Sequence, residues 1–277
     1  MFVFWKERRE QWLLIGVSVA FALLVMVKVK FAVPEVMKGP DWVSWVSFFQ
    51  SKAFEDIVGD LLTGLIAAYF FYVLIDLLPR HKREQSATRT LNLIIASVVD
   101  AYENRRTYGH EDLISLNDVG VIERPNLKHH IQHLISLAKA KFTLDDYYRL
   151  RCALACVDSR MQDFRAVLPL AITLSPEHVL QWIQLTDRAR LIHEELHSAP
   201  VGLDVRLMAQ HAFGDPPEGV SKDDGSYLAY VTGMRMYALT LAQRMVQFLL
   251  EVDAWMVLPG KPEPFVTQRN IASFGRP

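Results

Sequence analysis

One short segment near residue 195 carries residue types and a spacing that can do chemistry. Within the sequence HEELH, His193 and His197 lie four positions apart, with Glu194 beside the first. On a helix this spacing puts both imidazoles on one face, where they can hold a divalent metal ion while the carboxylate activates a bound water. The segment therefore predicts a metal-dependent hydrolytic site as one function to weigh against others.

The HEELH segment resembles the H-E-x-x-H motif of the zinc peptidases known as zincins. The resemblance implies that His193 and His197 bind zinc and that Glu194 is the general base. Other features oppose it: Glu195 adds a second charge, Pro200 ends the helix soon after the motif, and HSAPVGL does not have Gly and His at the fixed offsets of the metzincin extension. A helix C-terminus, where cationic histidines meet exposed carbonyl groups, explains the same residues without a metal.

Arg188 and His193, with four residues between them, resemble the R-x4-6-H signature of HEPN-type ribonucleases, which are also small helical bundles. The resemblance implies that the two side chains act together on an RNA backbone at a dimer interface. Ala189 stands where that family often has a polar residue. The net charge of −1 gives no electrostatic reason to expect nucleic acid, so we expect no nucleic-acid partner.

A second histidine-rich segment, KHHIQH, contains His129 and His133 one helical turn apart. On a helix they lie opposite Leu127, Ile131 and Leu134. The pattern therefore predicts an exposed polar face rather than a metal-binding pair.

The chain has two cysteines, Cys152 and Cys156, one helical turn apart. So few cysteines fit a reducing compartment and indicate no disulfide framework. Their spacing favours packing in a core.

Two apolar runs precede all of these residues. The first, residues 12–33, meets no charge before Lys28, and the second, residues 57–78, carries only Asp60 and Asp76 near its ends. Each is long enough to cross a bilayer, which takes about 20 residues. No small-residue cleavage site follows the first run, so a retained anchor is favoured over a secretory signal peptide. The sequence predicts a two-helix transmembrane hairpin.

The hairpin domain is expected over residues 1–83, with an amphipathic helix at about 41–54 between the spans. Trp42, Trp45 and Phe49 share one face of that helix, which predicts an anchor at the membrane interface.

The second apolar run contains a pair of small residues, Gly64 and Ala68, one helical turn apart. Such a pair lets another helix approach closely. It predicts a helix–helix interface with the first span or with a second copy of the chain.

Lysine and arginine residues near the span ends predict the orientation of the hairpin. Seven lie on the side of the termini and four on the connecting side: Lys6, Arg8, Arg9, Arg80, Lys82, Arg83 and Arg89 against Lys28, Lys30, Lys38 and Lys52. The excess predicts that both termini are cytoplasmic. It also places Arg80, Lys82 and Arg83 beside the lipid headgroups.

Residues 84–257 mix charged and apolar residues at helical spacing, and a tail rich in proline and glycine follows at 258–277. Helices are expected over about 84–105, 125–141, 144–170, 176–198 and 227–256. Thr143 and Ser175 are predicted N-caps. Ile135 and Leu228 belong to the apolar stripes of their helices, and the last helix is expected at the centre of the bundle. The predicted fold class is an all-α membrane protein, a two-helix transmembrane hairpin followed by an α-helical bundle.

Together these features predict a membrane-anchored cytoplasmic interaction or regulatory protein of a bacterial inner membrane, without intrinsic catalysis or a cofactor. The expected partners are the lipid bilayer and either a second copy or another protein bound through the bundle. Two alternatives stay open. One is a membrane-anchored zinc-dependent hydrolase that uses His193, Glu194 and His197. The other is an oligomeric membrane effector, based on Gly64, Ala68 and the aromatic interfacial helix.

Overall fold

The computed structural model describes residues 8–29, 52–106, 113–114, 117–137, 142–196, 198, 210–216 and 218–258. Most of these residues are helical and none of them forms a strand, so the all-α fold is confirmed. The chain divides into two compact units, Met1–Arg83 and Glu84–Pro277. Trp42, Trp45, Phe49 and His197 lie outside the described residues, as does the predicted tail from residue 259 onward.

The first unit contains two helices that pack against each other, α1 (Arg8–Val29) and α2 (Lys52–Tyr72). The small residues Ala20 on α1 and Gly59 on α2 are buried. The hydroxyl of Thr63 donates a hydrogen bond of 2.7 Å to the carbonyl of Gly59, within its own helix. This bond satisfies the hydroxyl without a partner outside the helix.

A π-helical turn at Val73–Leu77 joins α2 to α3 (Leu78–Asn104). The N–H of Leu78 donates to the carbonyl of Val73, five residues earlier. The physical reason is Pro79, which has no N–H to donate and whose ring clashes with the carbonyl four residues before it. The helix therefore widens for one turn and continues instead of ending.

Among the described residues, one helix, from Asp56 to Asn104, is long and apolar enough to cross a membrane. Only 6% of its most apolar 18-residue window is buried. A shorter apolar stretch, Gln11–Val25, lies in α1. The described residues thus contain one candidate span, and the second span of the hairpin stays a prediction.

The described part of the second unit includes the rest of α3 and five further α-helices. After a short 3-10 helix at Val119–Ile122, these are α4 (Arg124–Leu137), α5 (Leu144–Ala166), α6 (Leu168–Ile172), α7 (Pro176–Glu194) and α8 (Gly225–Val257). Helix α8 packs against α4, α5 and α7, and α5 packs against α7. Together these helices form a bundle around one apolar core.

Helix α3 lies inside this bundle, because every residue from Ile94 to Tyr102 is buried. The thiol of Cys156 on α5 donates to the carbonyl of Ser97 at 3.4 Å, and the indole N–H of Trp255 on α8 donates to Oδ1 of Asn92 at 2.8 Å. A helix buried on all sides has neighbours all round. The predicted centre of the bundle, α8, is therefore shared with α3.

The predicted N-caps of α5 and α7 are confirmed. The hydroxyl of Thr143 accepts a hydrogen bond from the N–H of Asp146, whose carboxylate accepts in return from the N–H of Thr143. The hydroxyl of Ser175 accepts from the N–H of His178, and Pro176 follows at the first helical position. Cys152 and Cys156 are both buried and free of disulfides, as their spacing predicted.

Several helical details predicted from the sequence are wrong. The helix expected over 144–170 is interrupted at Val167, between α5 and α6. Ile135 on α4 and Leu228 on α8 are largely exposed, although both fall in apolar stripes. Helix α7 ends at Glu194 rather than near Ser198, and Glu195 is its C-cap. Ile135 and Leu228 show that an apolar stripe is buried only where other residues cover it.

Candidate functional site

The HEELH segment lies at the C-terminal end of α7. Glu194 is the last helical residue, and the N–H groups of Glu195 and Leu196 donate to carbonyls three residues earlier. The chain therefore leaves regular α-helical geometry just after His193. The spacing that would put His193 and His197 on one helical face is not continued, and His197 itself lies outside the described residues.

Two members of the motif are paired with neighbouring side chains. Nδ1 of His193 lies 2.9 Å from Oδ1 of Asp158 on α5. Glu194 forms an ion pair with Arg190, one turn earlier on the exposed surface of α7. A carboxylate on one ring nitrogen is a common arrangement in zinc sites, and it leaves Nε2 of His193 as the nitrogen that can bind a metal.

The predicted zinc site depends on further ligands. Within the described ranges, no group of three or more His, Cys, Asp or Glu side chains is placed to hold a metal ion. Because His197 is outside those ranges, the assignment of His193, His197 and Glu194 to zinc chemistry stays a prediction.

Glu195, the additional acidic residue in the motif, connects the end of α7 to α8. Its Oε1 lies 3.5 Å from Nε of Arg244, and the hydroxyl of Tyr237 donates to its carbonyl at 3.1 Å. This acid therefore has a structural role.

Arg188 and His193 contact different helices. Nε of Arg188 lies 3.5 Å from Oε1 of Glu251 on α8, and its Nη1 donates to Oε1 of Gln247 at 3.4 Å. His193 instead meets Asp158 on α5. The joint action implied by the ribonuclease resemblance stays a prediction.

A second concentration of titratable groups surrounds a cavity of about 160 Å³ between α4 and α5. The lining residues are His129, His130, His133, Asp145, Asp146 and Arg149. His130 is not among the residues predicted from the sequence, and its exposed fraction is only 5%, whereas His129 is exposed as predicted. The signal was present, because His130 lies three residues after Leu127 and four before Leu134, and both leucines are buried.

His133 forms a tertiary contact where the sequence predicted an exposed face. Its Nε2 lies 2.9 Å from Oδ1 of Asp146, whose Oδ2 accepts from the N–H and the hydroxyl of Thr143 at 3.0 and 2.5 Å. Burial by itself raises the pKa of Asp146, but these hydrogen bonds outweigh it and hold the pKa below the ordinary value. The ionised carboxylate thus links α4 to the first turn of α5.

Asp145 stands between two guanidinium groups. Its carboxylate lies 2.8 Å from Nη1 of Arg105 and 3.2 Å from Nε of Arg149. Arg105 has a positive φ of 53°, and the N–H of Arg106 donates to the carbonyl of Ala101 at 3.2 Å. This left-handed residue ends α3 beside the cavity, as glycine does at many helix ends.

His130 faces α3 rather than solvent. Its ring meets that of Tyr102 edge to face, with ring centroids 5.3 Å apart. Its Nε2 lies 3.8 Å from Oε2 of Glu103, too far for a hydrogen bond. Neither of these two buried atoms has a hydrogen-bond partner among the described residues.

The surroundings of His130 disfavour its charged form. Burial has the largest effect, the neighbouring His129, Arg149 and His133 add to it, and together they lower the pKa of His130 to about 4. At neutral pH the imidazole is therefore uncharged.

An apolar cleft of about 270 Å³ lies between α5 and α7. Its apolar residues are Met161, Phe164, Leu168 and Ile183, and its polar residues are Arg165, Thr186, Asp187 and Arg190. Such a cleft can take apolar side chains of another molecule.

The predicted membrane residues that the structure describes lie at the surface. Gly64 and Ala68 are exposed on α2, and a Cβ atom added to Gly64 meets no described atom within 4 Å. Arg80, Lys82 and Arg83 are exposed on the first turns of α3. The packing of α1 on α2 therefore leaves the Gly64 face uncovered.

No family model matches the chain, and no curated protein or solved structure is significantly similar to it. Its function is therefore inferred from the geometry above.

Proposed function

We propose that this chain is a membrane-anchored interaction protein, in which an apolar helical hairpin holds a helical bundle at the cytoplasmic face of a bacterial inner membrane. The observation that carries the proposal is the exposure of apolar side chains on the first unit. Trp12, Phe21, Leu61 and Phe70 are all more than half exposed. Apolar surface of this extent is stable against lipid, whereas in water it is expected to be covered by another molecule.

The low burial of the candidate span supports a membrane more than a soluble core. A core helix of a soluble protein is equally apolar, but its side chains are buried by neighbouring helices. Here 6% of the apolar window is buried. The side-chain hydroxyl of Thr63 is satisfied within its own helix, as a lipid environment requires.

The basic residues support cytoplasmic termini. Arg80, Lys82 and Arg83 are exposed where the apolar segment ends, and Lys6, Arg8 and Arg9 precede the first apolar run. Positive charge next to a span favours the cytoplasmic side of the membrane. The bundle that follows Arg83 then lies in the cytoplasm.

A binding role for the bundle is supported by how its side chains are used. The pairs His193–Asp158 and Glu195–Arg244 join α7 to α5 and to α8, whereas Glu194 pairs with Arg190 on the exposed surface of α7 itself. The apolar cleft between α5 and α7 offers a surface for a second protein or a second copy. We therefore favour interaction over catalysis.

The anchor is tested with a matched pair of arginine substitutions. Leu65 on α2 and Leu250 on α8 are 50% and 51% exposed, so they differ in location rather than in accessibility. An arginine near the centre of a span costs about 2.5 to 3.5 kcal/mol on insertion scales. We expect Leu65→Arg to lower the fraction of full-length protein that resists alkaline carbonate extraction, and Leu250→Arg to leave it unchanged. Complete extraction of the wild-type chain would contradict the anchor.

The catalytic alternative is tested by metal content. We expect detergent-purified wild-type protein to contain no stoichiometric zinc, like the variants His193→Ala and His197→Ala. One zinc per chain that both variants lose, together with a hydrolytic activity that Glu194→Gln abolishes, would replace the interaction proposal with the hydrolase.

A further inference from the structure

We propose that His130 is an acid-sensitive latch in the bundle, and that its protonation favours opening of the contact that α4 makes with α3 and α5. This regulation goes beyond the proposed function and concerns the bundle alone, so it does not depend on membrane insertion. The structural basis is a buried imidazole on the wall of the cavity between α4 and α5, facing the carboxylate of Glu103.

The geometry around His130 suits a neutral ring and not a charged one. Nε2 is buried 3.8 Å from Oε2 of Glu103, and in the described part of the chain neither atom is hydrogen-bonded. A buried cation is tolerated only when it is closely paired and hydrogen-bonded. The separation from Glu103 leaves a protonated His130 without that partner.

Among the described residues, the charged and titratable groups around His130 and its cavity come from α3, α4, α5 and the residue that follows α3. They are Tyr102 and Glu103 on α3, Arg105 just after its end, His129 and His133 on α4, and Asp145, Asp146 and Arg149 on α5. Two of the carboxylates are already engaged: Asp145 with Arg105 and Arg149, and Asp146 with Thr143 and His133. Among the described residues, this leaves the carboxylate of Glu103 to pair with a charged His130, and at 3.8 Å it is too far away for a hydrogen bond.

Other ligands fit the cavity less well than a proton. The carboxylates of Glu103, Asp145 and Asp146 oppose an anion. A metal ion requires at least a third ligand beside His130 and Glu103, and the described side chains supply no such group. Two tetrahedral zinc ligands also lie roughly 3.3 Å apart, closer than His130 and Glu103.

The direction of the pH effect follows from linkage. With the contact closed, the pKa of His130 is about 4, whereas an exposed histidine titrates near 6.5. The closed state therefore has its full stability above about pH 6.5 and loses it as the pH falls towards 4. Compared with pH 7.5, these two pKa values increase the population of an open state, in which His130 is exposed, by roughly thirtyfold at pH 5.

The latch is tested by hydrogen exchange on the full-length chain in detergent, at pH 7.5 and pH 5.0, corrected for intrinsic exchange rates. We expect peptides covering α4 to lose roughly thirtyfold in protection at pH 5.0, and peptides from the second half of α8 to lose much less. The variant His130→Gln keeps a polar side chain but cannot titrate, so its α4 protection is expected to change little between the two pH values.

Two further variants make the result decisive. His129→Gln removes an exposed histidine from the same helix and is expected to behave like the wild type. His130→Phe keeps an aromatic edge against Tyr102 and replaces His130→Gln if that variant fails to fold. The same protection of α4 at both pH values in the wild type, or an unchanged pH response in the His130 variants, would overturn the proposal.

Discussion

The two units of this chain use the same apolar residue types in opposite ways. Leu61 on α2 is 71% exposed, whereas Leu249 on α8 is fully buried. Trp12 on α1 is 72% exposed, whereas Trp182 on α7 is buried against Phe164. Helix α2 packs against α1 and keeps many of its apolar side chains exposed, whereas α3 is buried on all sides from Ile94 to Tyr102. The comparison shows that apolar composition alone does not determine whether a helix is buried within the protein. The neighbouring helices determine whether its apolar side chains contact protein or another medium.

The largest effect is expected from a comparison of two tryptophans, one in each unit. Trp182→Ala removes a buried ring that stacks on Phe164 and whose N–H donates to the carbonyl of that residue at 2.9 Å. We expect it to lower the free energy of unfolding by about 3 to 5 kcal/mol. Trp12→Ala removes an exposed ring and is expected to leave the unfolding of the bundle unchanged. Thermal unfolding of the two full-length variants, followed by circular dichroism, measures both changes in stability. Equal shifts in the unfolding midpoint would contradict the different roles assigned to the two tryptophans.

A smaller effect is expected from a comparison of two aspartates, Asp146 in the bundle and Asp60 in the first unit. Asp146→Asn removes an ionised acceptor of three hydrogen bonds, which we expect to lower the stability of the bundle by about 1.5 to 3 kcal/mol at pH 7. Because the pKa of Asp146 is lowered in the folded state, this stability is present above about pH 3.8 and is lost as the pH falls below it. The difference in the free energy of unfolding between the wild type and Asp146→Asn should therefore become smaller in acid. The control is Asp60→Asn, at an exposed position on α2. A difference in stability between the wild type and Asp146→Asn that becomes larger in acid would refute the lowered pKa of Asp146.

The next effect compares two threonines. Thr143→Ala removes the N-cap of α5, and we expect a loss of about 1 kcal/mol in the stability of the bundle. Thr63→Ala removes a hydroxyl that bonds only to its own helix in the first unit, so no change in the bundle is expected. Chemical denaturation of the two variants under the same detergent conditions gives the difference. A larger loss for Thr63→Ala would show that the two units unfold together.

The smallest expected effect tests the exposed surface of the bundle itself. Glu194→Gln breaks the ion pair with Arg190, which lies on the solvent side of α7. Exposed pairs contribute little because water and salt screen them. We expect no measurable change in the unfolding midpoint. A clear loss would indicate that Glu194 has a role beyond this pair.

Local features of the sequence predicted local features of the fold well. The caps at Thr143 and Ser175 follow from hydroxyl side chains that satisfy the first N–H groups of a helix, which needs no distant partner. The burial of Leu91, Ile95 and Val99 follows from their helical spacing.

The sequence predicted the candidate sites less well. HEELH has the spacing of a zinc motif, yet the helix ends at Glu194, because Glu195 and Leu196 form a tighter turn. Placing two residues on one helical face by their spacing assumes that the helix continues through both of them. The five residues of the motif do not indicate where the helix ends. The positions of His129 and His133 predict an exposed face for the KHHIQH segment, but His130 between them is buried.

What the sequence by itself determined is the helical class, the capped helix starts and the strongly apolar character of the first 80 residues, since each depends on neighbours along the chain. The tertiary structure alone decided the partners of each side chain. It placed His133 on Asp146, His130 beside Glu103 and His193 on Asp158. These pairs join residues of different helices, and their charge states depend on burial and distances that exist only after the helices have packed.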